Sequence, residues 1–311
     1  MITTEKLDKP NWFAIAFQLE GSIVLMILPR IIIFSGFAAT IAFLYTSGFP
    51  IYLERMGELT TNVIYNLILG LLIVFRTNTS YDRFWEGRKA WGTLVVNSRT
   101  LAREIQIGVA GADAAEKQAA MRLLSAFAIA TKLHLRGESI NEELKALITP
   151  KQVQQLATTD NRPLVILFWI RTYLQQALTA GQISDSRIAE ANGMLNNLTE
   201  GLSGCERIIT TPIPIAYRIF LKRLILIYCL SLPFRFVPEL TWGAVPMMAI
   251  VSFLLFGVEE VGRELENPFG YQANDLPLNE ICSAILSNVE TTVALGTQAS
   301  KQEQDSLVRL L

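Results

Sequence analysis

The strongest constraint on this chain is a set of four apolar stretches, arranged as two close pairs with a long polar region between them. A helix needs roughly 20 apolar residues to cross the hydrocarbon core of a bilayer, and fewer where neighbours or a proline bend shield it. Ile31 to Tyr45 is uncharged and follows Ile23 to Leu28, with Pro29 and Arg30 marking a bend near an interface. Val63 to Phe75, extended backward by Thr60 and Thr61, is the second stretch, and Thr46 to Leu59 is expected to be the loop between the two. Leu224 to Phe236, cut by Pro233, and Leu240 to Val258 make the second pair. The expected fold class is an all-α membrane protein, with four transmembrane helices in two hairpins continuous with a large cytosolic helical bundle.

Composition agrees with that reading. The 311 residues are 51% hydrophobic and only 18% charged, with a mean hydropathy of +0.34, and soluble domains of this size carry more charge. Formal net charge is −1, so no basic excess draws the chain toward nucleic acid, and no nucleic-acid partner is expected. Cys205, Cys229 and Cys282 are far apart and odd in number, which supports neither a disulfide framework nor a zinc site. They are expected to be reduced, buried thiols. His134 is the only histidine, which removes His-rich metal clusters; no metal and no cofactor are expected. The N-terminal MITTEKLDKPNWF mixes acids with bases and lacks a small-residue cleavage site, so it does not read as a signal peptide.

Basic residues gather before the first stretch (Lys6, Lys9, Arg30), after the second (Arg76, Arg83, Arg88, Lys89) and before the third (Arg218, Lys222, Arg223). The short hairpin loops hold few, so the excess of basic residues on the inner side of membranes places both termini in the cytoplasm. The expected organisation is a cytosolic or interfacial segment over 1–22, a transmembrane hairpin over 23–76 and a cytosolic helical region over 77–217. A second hairpin over 218–258 and a cytosolic C-terminal helix and tail over 259–311 complete it. Within the polar region, Asp82 to Ile107, Asp113 to Arg136, Glu142 to Leu156, Leu164 to Ala180 and Ser184 to Ile209 show apolar residues at helical spacing. Gly, Pro, Asn or Ser mark the turns between them. Pro277 to Leu295 reads as a further helix, and Thr297 to Leu311 as a polar tail.

Four segments carry information about function. Leu67, Leu71 and Phe75 recur at i, i+4 and i+8 and form one stripe of the second stretch, with Asn62, Asn66 and Gly70 beside it. Amides inside a span are costly unless they meet another helix or water, so this helix is expected to face protein or a pore, with Asn62 and Asn66 pore-facing. A narrow apolar ring holds water poorly and gates by dewetting, and the electropositive edge of Phe75 tolerates an anion better than a cation. Arg76, next in sequence, either raises anion concentration at a pore mouth or snorkels to the interface. Ser80 with Asp82 reads as a helix start. In TTPIPIAY, Pro212 and Pro214 disfavour helix before each of them, which predicts an extended break that fixes Ile213 in place. Glu259 and Glu260, just past the last stretch, could act as acid and base. The chain offers them no nucleophile, metal-ligand set or phosphate-binding loop, so ion pairs with the basic flanks are expected and no enzyme activity is.

The wording LLIVFRTNTSYDRFWEGRKAWG, TPIPIAY and FGVEEVGRELENPFG, in this order, resembles the bestrophin family, most closely its plant and cyanobacterial branch, from about Arg30 to Leu295. The resemblance implies a homopentamer around one central pore that conducts chloride or other small anions through the lipid bilayer. Matched residue by residue from Arg83-Phe84-Trp85, it places a hydrophobic pore neck on Leu67, Leu71 and Phe75 and a cytosolic aperture on Ile213. Animal members carry an acidic calcium clasp directly after NPFG; here the stretch is Tyr271-Gln272-Ala273-Asn274-Asp275, with one carboxylate, which speaks against calcium gating. Leu71 stands where animal members have phenylalanine, and some bacterial relatives conduct cations. A sodium- or potassium-permeable pore and a non-conducting membrane scaffold are therefore the alternatives. A bacterial inner membrane is the expected location, with the thylakoid as the alternative suggested by the plant-like wording.

Overall fold

The structure is a computed structural model that describes residues 12–18, 21–49 and 53–308. The expected Lys6 and Lys9 cluster lies outside these residues, as do 309–311 of the tail. The helices, in chain order, are α1 (Trp12–Ala16), α2 (Val24–Thr46), α3 (Leu53–Thr61), α4 (Val63–Gly108), α5 (Ala114–Arg136), α6 (Glu142–Lys145), α7 (Pro150–Ala157), α8 (Arg162–Thr179), α9 (Asp185–Thr210), α10 (Ile215–Leu240), α11 (Ala244–Glu266) and α12 (Leu278–Val308). Among the described residues, three stretches are long and apolar enough to cross a membrane, Val24–Thr46, Val63–Gly108 and Ile215–Glu266, with 18-residue windows of mean hydropathy 2.1, 1.4 and 1.8. The third is divided into α10 and α11 by a single 3₁₀ turn at Thr241–Gly243.

The chain forms two compact units, one of Met1–Phe84 with Pro212–Asp275 and one of Trp85–Thr211 with Leu276–Leu311. In the first, α11 lies along α2, while α10 lies along α2 and α3. Ile27, Phe34, Ile225, Cys229, Met248 and Phe256 are among the residues that form its core. Phe34 and Phe256 meet with ring centroids 5.4 Å apart. Gly57 lets α3 and α10 approach closely, because a Cβ there would stand 3.1 Å from the Arg235 backbone.

In the second unit α5 is the centre, packed against α8, α9 and α12. From Ala120 to Leu135 almost every side chain of α5 is buried, the mark of a helix surrounded on all sides. The sequence ends its helices where expected. Gly137 stops α5 in the left-handed conformation at φ 68°, and Asn161 caps α8 through Leu164 N–H. Thr149 opens α7 with a reciprocal capping box to Gln152 and Pro150 in the first turn.

Several expectations need correction. The helix start expected at Ser80 and Asp82 does not exist, because α4 runs without a break from Val63 to Gly108 and Ser80 is buried within it. A cap signal is local, and the burial of Ser80 within α4 overrides it. The expected loop from Thr46 to Leu59 contains the start of α3. Glu142 to Leu156 divides into α6 and α7 because Thr149-Pro150 starts a helix afresh. The last apolar stretch continues as helix to Glu266, and α12 continues to Val308, through the segment expected as a polar tail.

Candidate functional site

The candidate site is the uncovered face of α4 together with the residues that hold the opposite face in place. The face begins at a hinge. Between α3 and α4, Asn62 Oδ1 accepts from Tyr65 N–H at 3.0 Å and caps α4. Asn66 Nδ2 donates to Thr60 O at 2.9 Å, and Thr60 Oγ1 donates to Gly57 O at 2.7 Å. The two amides expected as pore-facing groups are exposed, but each also serves the main chain of its own hinge. That local use answers the desolvation argument that called for a second helix or water.

Below the hinge, Leu67, Leu71 and Phe75 are 59%, 46% and 58% exposed in the single chain. Nothing lies within 4 Å of a Cβ built on Gly70. The stripe is thus an apolar surface that stays exposed among the described residues. The other side of α4 is tied to α10 by two tyrosines, Tyr65 on α4 and Tyr217 on α10. Tyr65 Oη donates to Leu224 O at 2.5 Å and Tyr217 Oη donates to Leu72 O at 2.6 Å. The rings of Tyr65 and Tyr228 stack with centroids 6.0 Å apart.

Arg76 belongs to this inner side. One residue turns a helix by about 100°, so the neighbour of an exposed Phe75 faces inward, and Arg76 is only 2% exposed. Its Nη1 donates to Glu259 Oε1 at 3.2 Å and its Nη2 stands 4.0 Å from Glu266 Oε2. Neither expected role, pore-mouth cation or snorkelling side chain, matches that burial; the guanidinium is committed to an internal pair. Arg30 Nη1 joins the same carboxylates, at 3.3 Å from Glu259 and 3.2 Å from Glu260. Arg263 Nε donates to Glu260 Oε1 at 2.6 Å, and this hydrogen bond raises the Arg263 pKa above its ordinary value. Arg218 and Lys222 each stand 4.0 Å from a glutamate of the cluster, Glu266 and Glu259 respectively. The ion pairs expected between Glu259, Glu260 and the basic flanks are therefore present.

Ile213 sits in the predicted break, with Pro214 extended at φ −50° and ψ 132° ahead of α10. Its side chain is 7% exposed, so it offers far less surface than the three α4 residues. After α11, the loop that follows NPFG uses its polar groups locally. Asn274 Nδ2 donates to Glu264 Oε2 at 2.8 Å and to Gly21 O at 3.1 Å, and Asp275 Oδ2 accepts from Gln272 N–H at 2.7 Å. Cys205, Cys229 and Cys282 are free and buried, and burial pushes the Cys205 and Cys282 thiols up to about 12. His134 Nε2 lies 2.9 Å from Glu206 Oε1. Sequence reasoning missed the two tyrosine ties and the inward aim of Arg76. Tyr65 and Tyr217 could have drawn notice as hydroxyl-bearing residues next to apolar runs, where a buried O–H seeks a main-chain acceptor.

Residues 1–291 match a family model described as "Bacterial/Fungal Bestrophin protein". A protein of Nostoc sp. named as a voltage-dependent anion channel-forming protein is 46% identical, over 93% of this chain and 94% of its own length. A protein of Synechocystis sp. with the same description is 39% identical, over 91% and 92% of the two chains. Among solved structures, a bacterial bestrophin homologue from Klebsiella pneumoniae superposes with a TM-score of 0.76 at 28% identity, covering 87% of this chain and 98% of that one.

Proposed function

The chain belongs to the bestrophin family, and from that premise we propose that it is a passive anion channel, a membrane protein that performs no catalytic step. Its curated relatives carry the name of voltage-dependent anion channel-forming proteins. The observation that carries the reading is the α4 face, where Leu67, Leu71 and Phe75 stay 46% to 59% exposed while Tyr65, Tyr217 and Arg76 tie the opposite side of the helix. An apolar stripe on a membrane helix is covered by lipid or by a partner, and in this reading a closed ring of copies around a central axis covers it.

In this reading five subunits bring Leu67, Leu71 and Phe75 together as a hydrophobic neck. The hairpins of 23–76 and 218–258 cross the bilayer four times, and 77–217 with 259–311 stand in the cytosol of a bacterium whose inner membrane holds the channel. Ile213 forms a second constriction at the cytosolic aperture, and Asn62 and Asn66 border the outer entrance to the neck. Chloride is the expected permeant ion. Conduction needs no bound group: an anion sheds part of its hydration at the neck and passes the electropositive edges of five Phe75 rings. Arg76 contributes from behind the wall, since its pair with Glu259 holds Phe75 toward the axis.

The test is the reversal potential of the purified protein in a planar bilayer under a chloride-salt gradient. A shift toward the chloride equilibrium potential is expected, with Leu71→Phe moving it further the same way by adding a second aromatic ring. A shift toward the cation potential refutes anion selection, and silence with the pentamer intact refutes conduction.

A further inference from the structure

A cavity of about 230 Å³ opens among α2, α10 and α11, on the apolar helices and away from the α4 face. Phe34, Ile225, Leu226 and Phe256 form its walls, and Arg30, Lys222 and Glu259 stand at its charged end. We infer that this cavity binds an anionic phospholipid, with an acyl chain against Phe34, Leu226 and Phe256 and the phosphate on Lys222 and Arg30.

The wall comes first in the argument. Phe256 and Phe34 are 8% and 9% exposed and belong to the core, whereas Leu226 is 47% exposed on the rim. The cavity is therefore open on a side that, in a membrane, faces acyl chains and not water. Its charged end combines residues with unequal commitments. Glu259 is already met by Arg76 at 3.2 Å and by Arg30 at 3.3 Å. Lys222 stands 4.0 Å from the same carboxylate, remains 59% exposed and can turn outward. Arg30, 39% exposed, also stands over the Phe256 ring at 5.8 Å, at the border between wall and headgroup level.

The local balance of charge favours an anion. Arg30, Arg76, Arg218, Lys222 and Arg263 surround Glu259, Glu260 and Glu266, which leaves basic charge in excess. Basic pockets between transmembrane helices on the cytoplasmic side are suited to acidic headgroups. A free phosphate would use the cations and leave the aromatic wall unfilled, and a zwitterionic lipid would bring a cation of its own to Lys222.

The full-length protein in mixed micelles, read by native mass spectrometry, tests this directly. Wild-type protein is expected to retain phosphatidylglycerol over phosphatidylcholine. Lys222→Gln should lower that retention about fivefold, the effect of one basic residue on an acidic lipid. Leu226→Trp, which fills the cavity and leaves every charge in place, should lower it as well. Equal retention of the two lipids, no response to Leu226→Trp, or displacement of the lipid by inorganic phosphate at equal concentration overturns the inference. The readout is bound mass, so it stands or falls apart from conduction.

Discussion

The two units of this chain place their charges and their apolar side chains in opposite ways. In the unit of Trp85–Thr211 and Leu276–Leu311, burial follows the logic of a protein in water: Met121, Leu124 and Phe127 of α5 are 0% exposed. The cation buried there, Lys132, reaches Glu143 at 2.8 Å, and that carboxylate is 41% exposed. In the other unit ionisable groups are buried beside the apolar core, with Arg76, Glu259 and Glu260 at 2%, 4% and 1% exposure, while Ile32, Ile33 and Leu254 stand outside. What differs is the medium each surface is built for. Apolar surface costs nothing against lipid, whereas a charge at the end of a span must find a counter-charge inside the protein.

The sharpest way to break that contrast is to remove one member of each charge pair. Glu259→Gln leaves Arg76 and Arg30 short of an acceptor and is expected to cost about 3–5 kcal/mol. Lys132→Met, whose partner is already partly hydrated, should cost no more than about 1 kcal/mol. Thermal unfolding of the detergent-solubilised protein followed by circular dichroism compares the two, and equal losses would erase the distinction between the units.

A second comparison concerns packing rather than charge. A Cβ on Gly201 of α9 would stand 2.7 Å from Leu94 Cδ2 and 3.3 Å from Ala90 O of α4. Leu94 is fully buried, so Gly201→Ala should destabilise the second unit by about 1–3 kcal/mol. Limited proteolysis, with cuts confined to the helices of that unit, checks where the loss falls. Asn62→Ala removes the cap of α4 and should cost about 1 kcal/mol in the first unit, read as a lower midpoint in the same thermal experiment.

The last effect is confined to alkali. The Cys205 and Cys282 thiols rise from 9.0 to about 12 in the fold. The native state therefore keeps protons that the unfolded chain loses. Stability from this source is complete below pH 9, declines as pH rises between about 9 and 12, and is gone above that. Iodoacetamide labelling across pH 8–10 should leave both cysteines unmodified until the protein unfolds. Rapid labelling of the native protein would contradict their burial.

The sequence was legible wherever structure is decided within a few residues. The ends of α5, α7 and α8 follow from Gly137, the Thr149-Pro150 pair and Asn161, because caps and turns need no distant partner. The i, i+4, i+8 stripe on α4 was legible for the same reason. What could not be read is whatever depends on a residue far along the chain. Ser80-Asp82 has the look of a helix start, and only the packing of Ser80 inside α4 cancels it. The break at Ile213 follows from Pro212 and Pro214, but its burial does not. Arg76 is the clearest case: its position one step after Phe75 gives its direction on the helix, while its partner Glu259 is 183 residues away.

That separation sets an order of events during synthesis. Ribosomes add roughly 5–20 residues per second, so the interval between making Arg76 and making Glu259 is roughly 10 to 40 s. Through that interval α4 carries a cation without the carboxylate that pairs with it in the finished protein, and the cheapest place for the side chain is the watery edge of the bilayer. Arrival of α11 draws it inward. A nascent chain halted before Glu259 already holds the residues of the tyrosine ties between α4 and α10, but its Arg76 still lacks an acceptor.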